Sequence, residues 1–495
     1  MRLDRRRFLI QGASAAVGLA ATPTSFGKTT PSSLSALAAR MSGPLILPSD
    51  GAYATARLPY NERYDHVHPV AVARPRGVGD LREIVRWARR TNTQLAVRSG
   101  GHSYAGYSVT SGLVVDLGAL DTVSLAPSGV ATIGAGARLV DVEAALAAHG
   151  RAIVAGSCAT VGIGGLALGG GIGFASRRHG TTSDNVASLG IVTADGRFRT
   201  ASQAENPDLL WACRGGGGGN FGIVTHFDVR TFPTASVSYF FASWPWSRAN
   251  AVIDAWQRFA PHAPDDLFTI CAVQTGTSSP SIRVFGQLLG SESRLRSLLG
   301  PLTAVDGISL STGSSGYLDA QLRWSGCLGK TLAACHIAGE SPGGTLGRSA
   351  FTAKSDYLHA RLGSSGIATI THWIEQAQHA GFGSASLLLD SYGGAINRMS
   401  RSATAFMHRD AIASGQYLAY WYHPGGEAGA LAWTRGFHTA MRPHVSGFAY
   451  QNYIDPDLKD WRHAYYGENA DRLEEIKEKL DPSRVFRFKQ GIVPA

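Results

Sequence analysis

Eight of the eighteen residues from Gly156 to Gly173 are glycine, in the run Gly156-Ser157-Cys158-Ala159-Thr160-Val161-Gly162-Ile163-Gly164-Gly165-Leu166-Ala167-Leu168-Gly169-Gly170-Gly171-Ile172-Gly173. Without Cβ atoms, such a backbone can take positive φ and pack where any side chain would collide. A stretch so poor in side chains cannot be ordinary core. It must lie against other backbone or against a bound molecule. Two further tracts share this character, Arg98-Ser99-Gly100-Gly101-His102-Ser103-Tyr104 and the glycines from Gly215 to Gly222. These three hold 16 of the 60 glycines in 495 residues, a content of about 12% against a usual 7% or so.

The rest of the composition is that of a folded protein. Hydrophobic residues make up 44% and charged ones 17%, enough large side chains for one or two substantial cores. The formal net charge is +10, but the only basic cluster is Arg5-Arg6-Arg7. A diffuse surplus with no basic helix stripe and no zinc-finger spacing argues against a nucleic-acid partner. Five cysteines, Cys158, Cys213, Cys271, Cys327 and Cys335, include no CxxC pair, so no metal site is expected. Their odd number leaves at least one thiol without an intramolecular partner, and Cys158, inside the glycine run, is the one that needs a reason.

Residues Arg5-Arg6-Arg7-Phe8-Leu9 precede a mildly apolar stretch from Ile10 to Ala21. The pattern resembles a bacterial twin-arginine export signal and implies the twin-arginine translocase as a transient partner. The stretch is too short and too rich in small residues for a transmembrane anchor. We therefore expect residues 1–30 to be a removable signal and the mature protein to be periplasmic or secreted, with no stable membrane anchoring. That route carries proteins folded around a cofactor.

Along the chain, Asp80 reads as the N-cap of a helix carrying Leu81, Ile84, Val85 and Ala88 on one face. Short strands are expected at Leu95–Val97, 113–117, 131–134 and 152–155, with a helix from Leu139 to His149 and a hairpin of 188–193 with 197–200. After Thr231-Phe232-Pro233 the texture changes to longer alternating strands such as 236–243 and helices such as 249–259, which suggests an antiparallel sheet with helices on one face. A final helix is expected over 471–480. The fold class is α+β.

Glycine loops let backbone N–H groups close on a diphosphate. The GxGxxG-like spacing from Gly162 lacks the later acidic residue of a βαβ dinucleotide site, so no Rossmann fingerprint is present. Three ordered blocks instead resemble the FAD-linked oxidoreductases of the vanillyl-alcohol oxidase superfamily, in its berberine-bridge-enzyme-like branch. They are Arg98–Tyr104, then Gly156–Gly173 running on to Asp184-Asn185, and Tyr450-Gln451-Asn452-Tyr453 through Tyr465, Asn469 and Asp481-Pro482 to Gln490. The resemblance implies a two-part FAD-binding domain over 60–234, an antiparallel-sheet substrate domain covered by helices over 235–449, and a segment 450–495 that returns to the FAD domain. It further implies FAD bonded twice, through its 8α-methyl to His102 and through C6 to Cys158. The carried-over cofactor contacts are Arg98, Ser99, Gly100, Gly101, Ser103, Gly156, Val161, Gly162, Gly165, Gly169, Gly170, Gly173, Asn185, Gly222, Ile223, Asn452 and Tyr453. Histidine nitrogen and cysteine thiolate are the side chains nucleophilic enough for such bonds near neutral pH.

The same resemblance places a catalytic base at Tyr453, an acidic partner at Asp390 and an oxygen gate at Val161, where a small valine admits dioxygen and leucine would block it. A tyrosine acting near neutral pH needs a cation or a carboxylate partner, and Arg409 is a candidate for the positive charge. Trp244, Trp246, Tyr417, Tyr420 and Trp421 are candidates for stacking on sugar rings. The implied activity is oxidation of an alcohol or a sugar hemiacetal, possibly on an oligosaccharide, with hydride passing to flavin N5 and dioxygen reduced to hydrogen peroxide. The alternatives are a flavin dehydrogenase or oxidative-cyclising enzyme on a secondary metabolite, and a non-catalytic carbohydrate- or flavin-binding protein. Ala159 and Leu166 depart from the branch's usual proline and histidine.

Overall fold

The computed structural model describes residues 31–495. The export signal expected over 1–30 lies outside them. Among the described residues no helix is long and apolar enough to cross a membrane.

The first half is built from two small sheets. In one, Leu95–Arg98, Leu113–Asp116 and Ala71–Ala73 run parallel and Leu45–Ile46 closes the edge antiparallel. The other is antiparallel, in the spatial order Val123–Leu125, Val130–Gly134, Ile223–Arg230, Val186–Val192, Phe198–Ser202. Between them the helix Val78–Thr91 turns Leu81, Ile84, Val85 and Ala88 into the shared core. Asp80 is not its N-cap. It stands on the third helical residue, and its carboxylate accepts from the backbone of Arg76, Ser42 and Gly43, tying the preceding chain to the helix. The strand expected over 152–155 pairs only at Arg151–Ala152, against Phe232–Pro233. Past it the chain runs towards the glycine tract, and the Val154 carbonyl is met by the Thr182 hydroxyl at 2.7 Å instead of a ladder partner.

The second half is a seven-stranded antiparallel sheet in the order Ser309–Ser315, Val237–Trp244, Ser281–Leu288, Leu267–Gln274, Gly383–Ser391, Ala413–Trp421, Phe351–Leu358. Period-two alternation divides its faces. Phe240, Val284, Cys271, Leu387, Leu389, Tyr417 and Trp421 point back into a core shared with the helices Ala249–Phe259, Ser364–Gln378 and Gly426–Met441. The α+β architecture is therefore the expected one, a helix-covered antiparallel sheet beside a glycine-rich α+β half.

A last segment bridges the two halves. Lys354 on the edge strand holds Asp455 at 2.7 and 2.8 Å and Asp457 at 3.1 Å. Gln451 donates to the carbonyls of Gly169 and Gly215, and Asn452 to Leu166 at 3.0 Å. The helix Ala470–Leu480 then docks through Lys477, which is fully buried and donates to Asp481, Phe486 and Asn220. Cys327 and Cys335 form a disulfide that packs with Val140 and Ala159, leaving Cys158, Cys213 and Cys271 as free thiols.

Candidate active site at a crossing of two glycine loops

Gly100 lies backbone to backbone against Gly162. A Cβ on Gly100 would overlap the Gly162 amide nitrogen, and one on Gly162 would overlap Ser99 Oγ and the Gly100 amide. Only glycine on both loops permits the crossing. Ser99 fastens it, donating its hydroxyl to the Ala135 carbonyl at 2.6 Å and accepting from Gly164 N–H at 3.3 Å.

The crossing sets His102 beside Thr160, with Nε2 2.9 Å from the threonine Oγ1, and Tyr60 stacks on the imidazole with ring centroids 3.8 Å apart. Burial, helped by the Arg138 guanidinium, lowers the imidazole pKa to about 3. His102 is thus neutral at any working pH and keeps a nitrogen lone pair. Cys158 lies on the same loop as Thr160 and is reachable from solvent. The protein walls around it still strip away enough water to push its thiol pKa up. It is close enough to Tyr60, Tyr104 and Tyr420 for its charged form to raise the pKa of each phenol. The glycine crossing and the sheet front therefore share one space.

Asp390, Gln416 and Tyr420 stand on that front, each on the face opposite the helix-covered core. Asp390 is only 8% exposed, and burial pushes its carboxyl up to about 7 against the opposing effect of the Ser414 hydroxyl. Tyr453 enters from the returning segment, stacked parallel on Tyr104 at 5.2 Å and edge-on to Tyr450 at 4.9 Å. Burial first and the Asp390 carboxylate second drive its phenol well above the ordinary range. Gln416 donates to the Tyr104 hydroxyl.

Several expected residues shape this space mainly through their backbone. Gly101 takes φ +74°, where other residues are strained, and its carbonyl accepts from Ser108; Ser103 Oγ accepts from Tyr107 N–H at 3.0 Å. Gly169 makes room for the Asn452 amide, Gly170 lies against Phe406 and Tyr450, and a Cβ on Gly173 would overlap the Ala155 carbonyl. Beside Gly165 the space is open, and Gly156 makes only ordinary contacts. Val161 is half-buried against the core, its carbonyl accepting from Leu139 N–H.

Other expected residues have protein partners for their side chains. The Arg98 guanidinium bonds Asp116 and the carbonyls of Ala56 and Leu58. Asn185 donates to the carbonyls of His179 and Thr181. Ile223 is fully buried in the core, and Gly222 packs under the Val192 carbonyl. Arg409 does not supply the positive charge expected beside Tyr453. It is buried and forms a two-pronged ion pair with Asp184 at 2.7 and 2.8 Å, because its neighbour in space is the 181–184 turn. Of the five aromatic candidates, Trp244, Tyr417 and Trp421 belong to the back core, Trp246 packs on its margin and donates to Glu375, and only Tyr420 faces the site. Sequence reasoning missed Tyr60, Thr160 and Gln416. Thr160 stood within the glycine run, and Gln416 sits on an even, front-facing position of strand 413–421.

These residues suit an FAD. The crossing offers a side-chain-free backbone, open space lies beside Gly165, and a neutral imidazole and a thiol stand on the two loops. Fold and site together define a flavin-binding oxidoreductase. Residues 69–202 match the family described as FAD binding domain, and residues 449–493 match the one described as berberine and berberine like. The chain is 33% identical to the uncharacterized FAD-linked oxidoreductase YgaK of Bacillus subtilis, across 92% of this chain and 98% of that one. It belongs to the berberine-bridge-enzyme-like family of FAD-linked oxidoreductases. Among solved structures, Physcomitrella patens BBE-like 1 superposes with a TM-score of 0.85 at 30% identity, covering 93% of this chain and 98% of that chain. The xylooligosaccharide oxidase from Myceliophthora thermophila C1 in complex with xylobiose gives 0.83 at 28% identity, covering 94% of this chain and 99% of that chain.

Proposed function

We propose that the protein is an exported oxidase that carries FAD on two covalent bonds, at His102 and Cys158, and oxidises the carbinol of a sugar hemiacetal or alcohol. The observation that carries this reading is the glycine crossing, which holds a neutral imidazole and a thiol in one space facing Asp390 and Tyr453. The likeness to an enzyme solved with xylobiose supports a sugar as substrate. In this reading residues 60–234 hold the cofactor, 235–449 the substrate, and 450–495 return across both.

FAD held by these loops would supply a two-electron acceptor for the hydride of the substrate carbon and, once reduced, the electrons for reduction of dioxygen to hydrogen peroxide. The chain's own part is the proton. Tyr453 accepts it from the substrate hydroxyl while its phenolic proton passes to Asp390, whose carboxyl, titrating near 7, is a matched acceptor at neutral pH. This replaces the cation expected for tyrosine activation: the phenol is too high to ionise alone and works through its acidic neighbour. Val161 beside Cys158 leaves the small side chain that admits dioxygen.

The test is direct. After acid precipitation the yellow colour should stay with the protein, and peptides containing residues 102 and 158 should both carry the flavin mass. Colour released to the supernatant rejects the covalent bonds. Slow reoxidation in air, followed by stopped flow, rejects the oxidase in favour of a dehydrogenase.

A further inference from the structure

One line of paired residues crosses the whole seven-stranded sheet: Tyr357, Ser414, Asp390, Ile270, Phe285, Phe241 and Ser311, each directly opposite the next. Directly paired residues share a face. Phe285 and Phe241 therefore stand on the front with Asp390, two and three strands away, or about 10 and 14 Å at the usual strand spacing. The backs of the same strands bury Phe240, Val284 and Leu288 under helices, as a one-sided sheet should. The front breaks the pattern. Tyr239, Phe240 and Phe241 are three aromatics in a row, so an apolar ring faces each way, and Phe241 is 40% exposed.

Trp324 completes a platform with these rings. Its indole lies 5.3 Å from the Phe241 ring and 5.9 Å from that of Phe285 and stacks on Phe174 at 4.3 Å. Its N–H donates to Gln287 Oε1 at 2.8 Å, which fixes the plane. The next line of paired residues beside Phe285 and Phe241 is Arg283, Ser243 and Ser309, polar and at least partly exposed.

We propose that this strip is the seat for the distal rings of an extended oligosaccharide whose reacting end lies at Asp390 and Tyr453. The inference rests on the sugar-oxidase reading and deepens it. Apolar ring faces flanked by hydroxyl and guanidinium groups are the chemistry that a pyranose requires, with C–H faces for stacking and equatorial hydroxyls for hydrogen bonds. A greasy peptide or a second copy of the chain would want an apolar flank instead. The straightness of the line selects a glycan that runs straight, and strand spacing is close to the advance per sugar of such a chain.

The experiment compares turnover and calorimetric binding for cello-, xylo-, chito- and malto-oligosaccharides of one to four units, using the flavinylated enzyme. For a straight series, kcat/KM should climb from the monomer to the trimer. In Phe241→Ala the trimer-to-monomer ratio should fall about fivefold to tenfold, the worth of one aromatic stacking contact. Phe198→Ala, an equally exposed phenylalanine on another sheet, should leave the ratio alone. A wild-type enzyme indifferent to chain length, or a Phe241→Ala ratio equal to wild type, overturns the proposal. If no sugar is oxidised, the sugar-oxidase reading falls and calorimetry decides the platform separately: trimer binding weakened by Phe241→Ala sustains it, and trimer binding that is absent or unaffected ends it.

Discussion

At Asp390, the proposed proton acceptor, one carboxyl would link stability to chemistry. Its pKa of about 7 in the folded protein stands above the ordinary 3.8, so the folded apoprotein retains a proton that the unfolded chain releases. This group therefore favours folding fully below about pH 4, and its contribution fades as pH rises to about 7. The interval corresponds to on the order of 4 kcal/mol. Asp390→Asn should flatten that slope, read as urea stability at pH 4.5 and 7.5. The same substitution should remove the rise of flavin reduction rate through pH 7, because a carboxamide cannot take the proton. Tyr453→Phe should keep the flavin bound and slow its reduction by substrate by roughly 10²-fold or more; full activity in that variant would assign the proton to another group. His102, Cys158 and Tyr453 were candidates because each stands inside one of the three recognisable blocks, whereas Asp390 lies outside all of them, in the run Leu389–Gly394. Arg409 was misread because nothing local in sequence announces a partner 225 positions away at Asp184.

Among the elements, the loop crossing is the least tolerant of change. Gly162→Ala drives a methyl into Ser99 Oγ and the Gly100 amide, and backbone cannot yield as a flexible side chain can. We expect a loss of about 1–3 kcal/mol with little covalent flavin, measured by thermal melting and by absorbance of the acid-washed protein. Gly165→Ala, where the space is open, should fold normally. Most elements were legible from periodicity: the helix Ala249–Phe259 and the strand Val237–Trp244 lie where alternation and helical spacing put them. Strand 152–155 failed because apolar residues near a glycine tract look the same whether they pair in a ladder or are satisfied by one threonine hydroxyl. Aromatics misled for a related reason. Tyr417 and Tyr420 differ by three positions, and only strand parity sends one to the core and the other to the site.

For the whole molecule, the two halves are held in one geometry by the returning segment. Lys354 and Asp455 are each 5% exposed in their side chains, so removing the lysine strands a buried carboxylate. Lys354→Met should cost about 3–5 kcal/mol and open the segment after Tyr450 to protease, seen as early cleavage in limited proteolysis. The same segment sets an order of events in time. Gln451 and Asn452 seal the carbonyls of Leu166, Gly169 and Gly215, so the wall around the glycine loops is unfinished until residues more than 230 positions downstream have been made. A nascent chain still held at the ribosome has no closed cavity to offer. A chain cut short before Gln451 would leave the carbonyls of Leu166, Gly169 and Gly215 without these amide partners, so closure of that wall waits on the very end of synthesis.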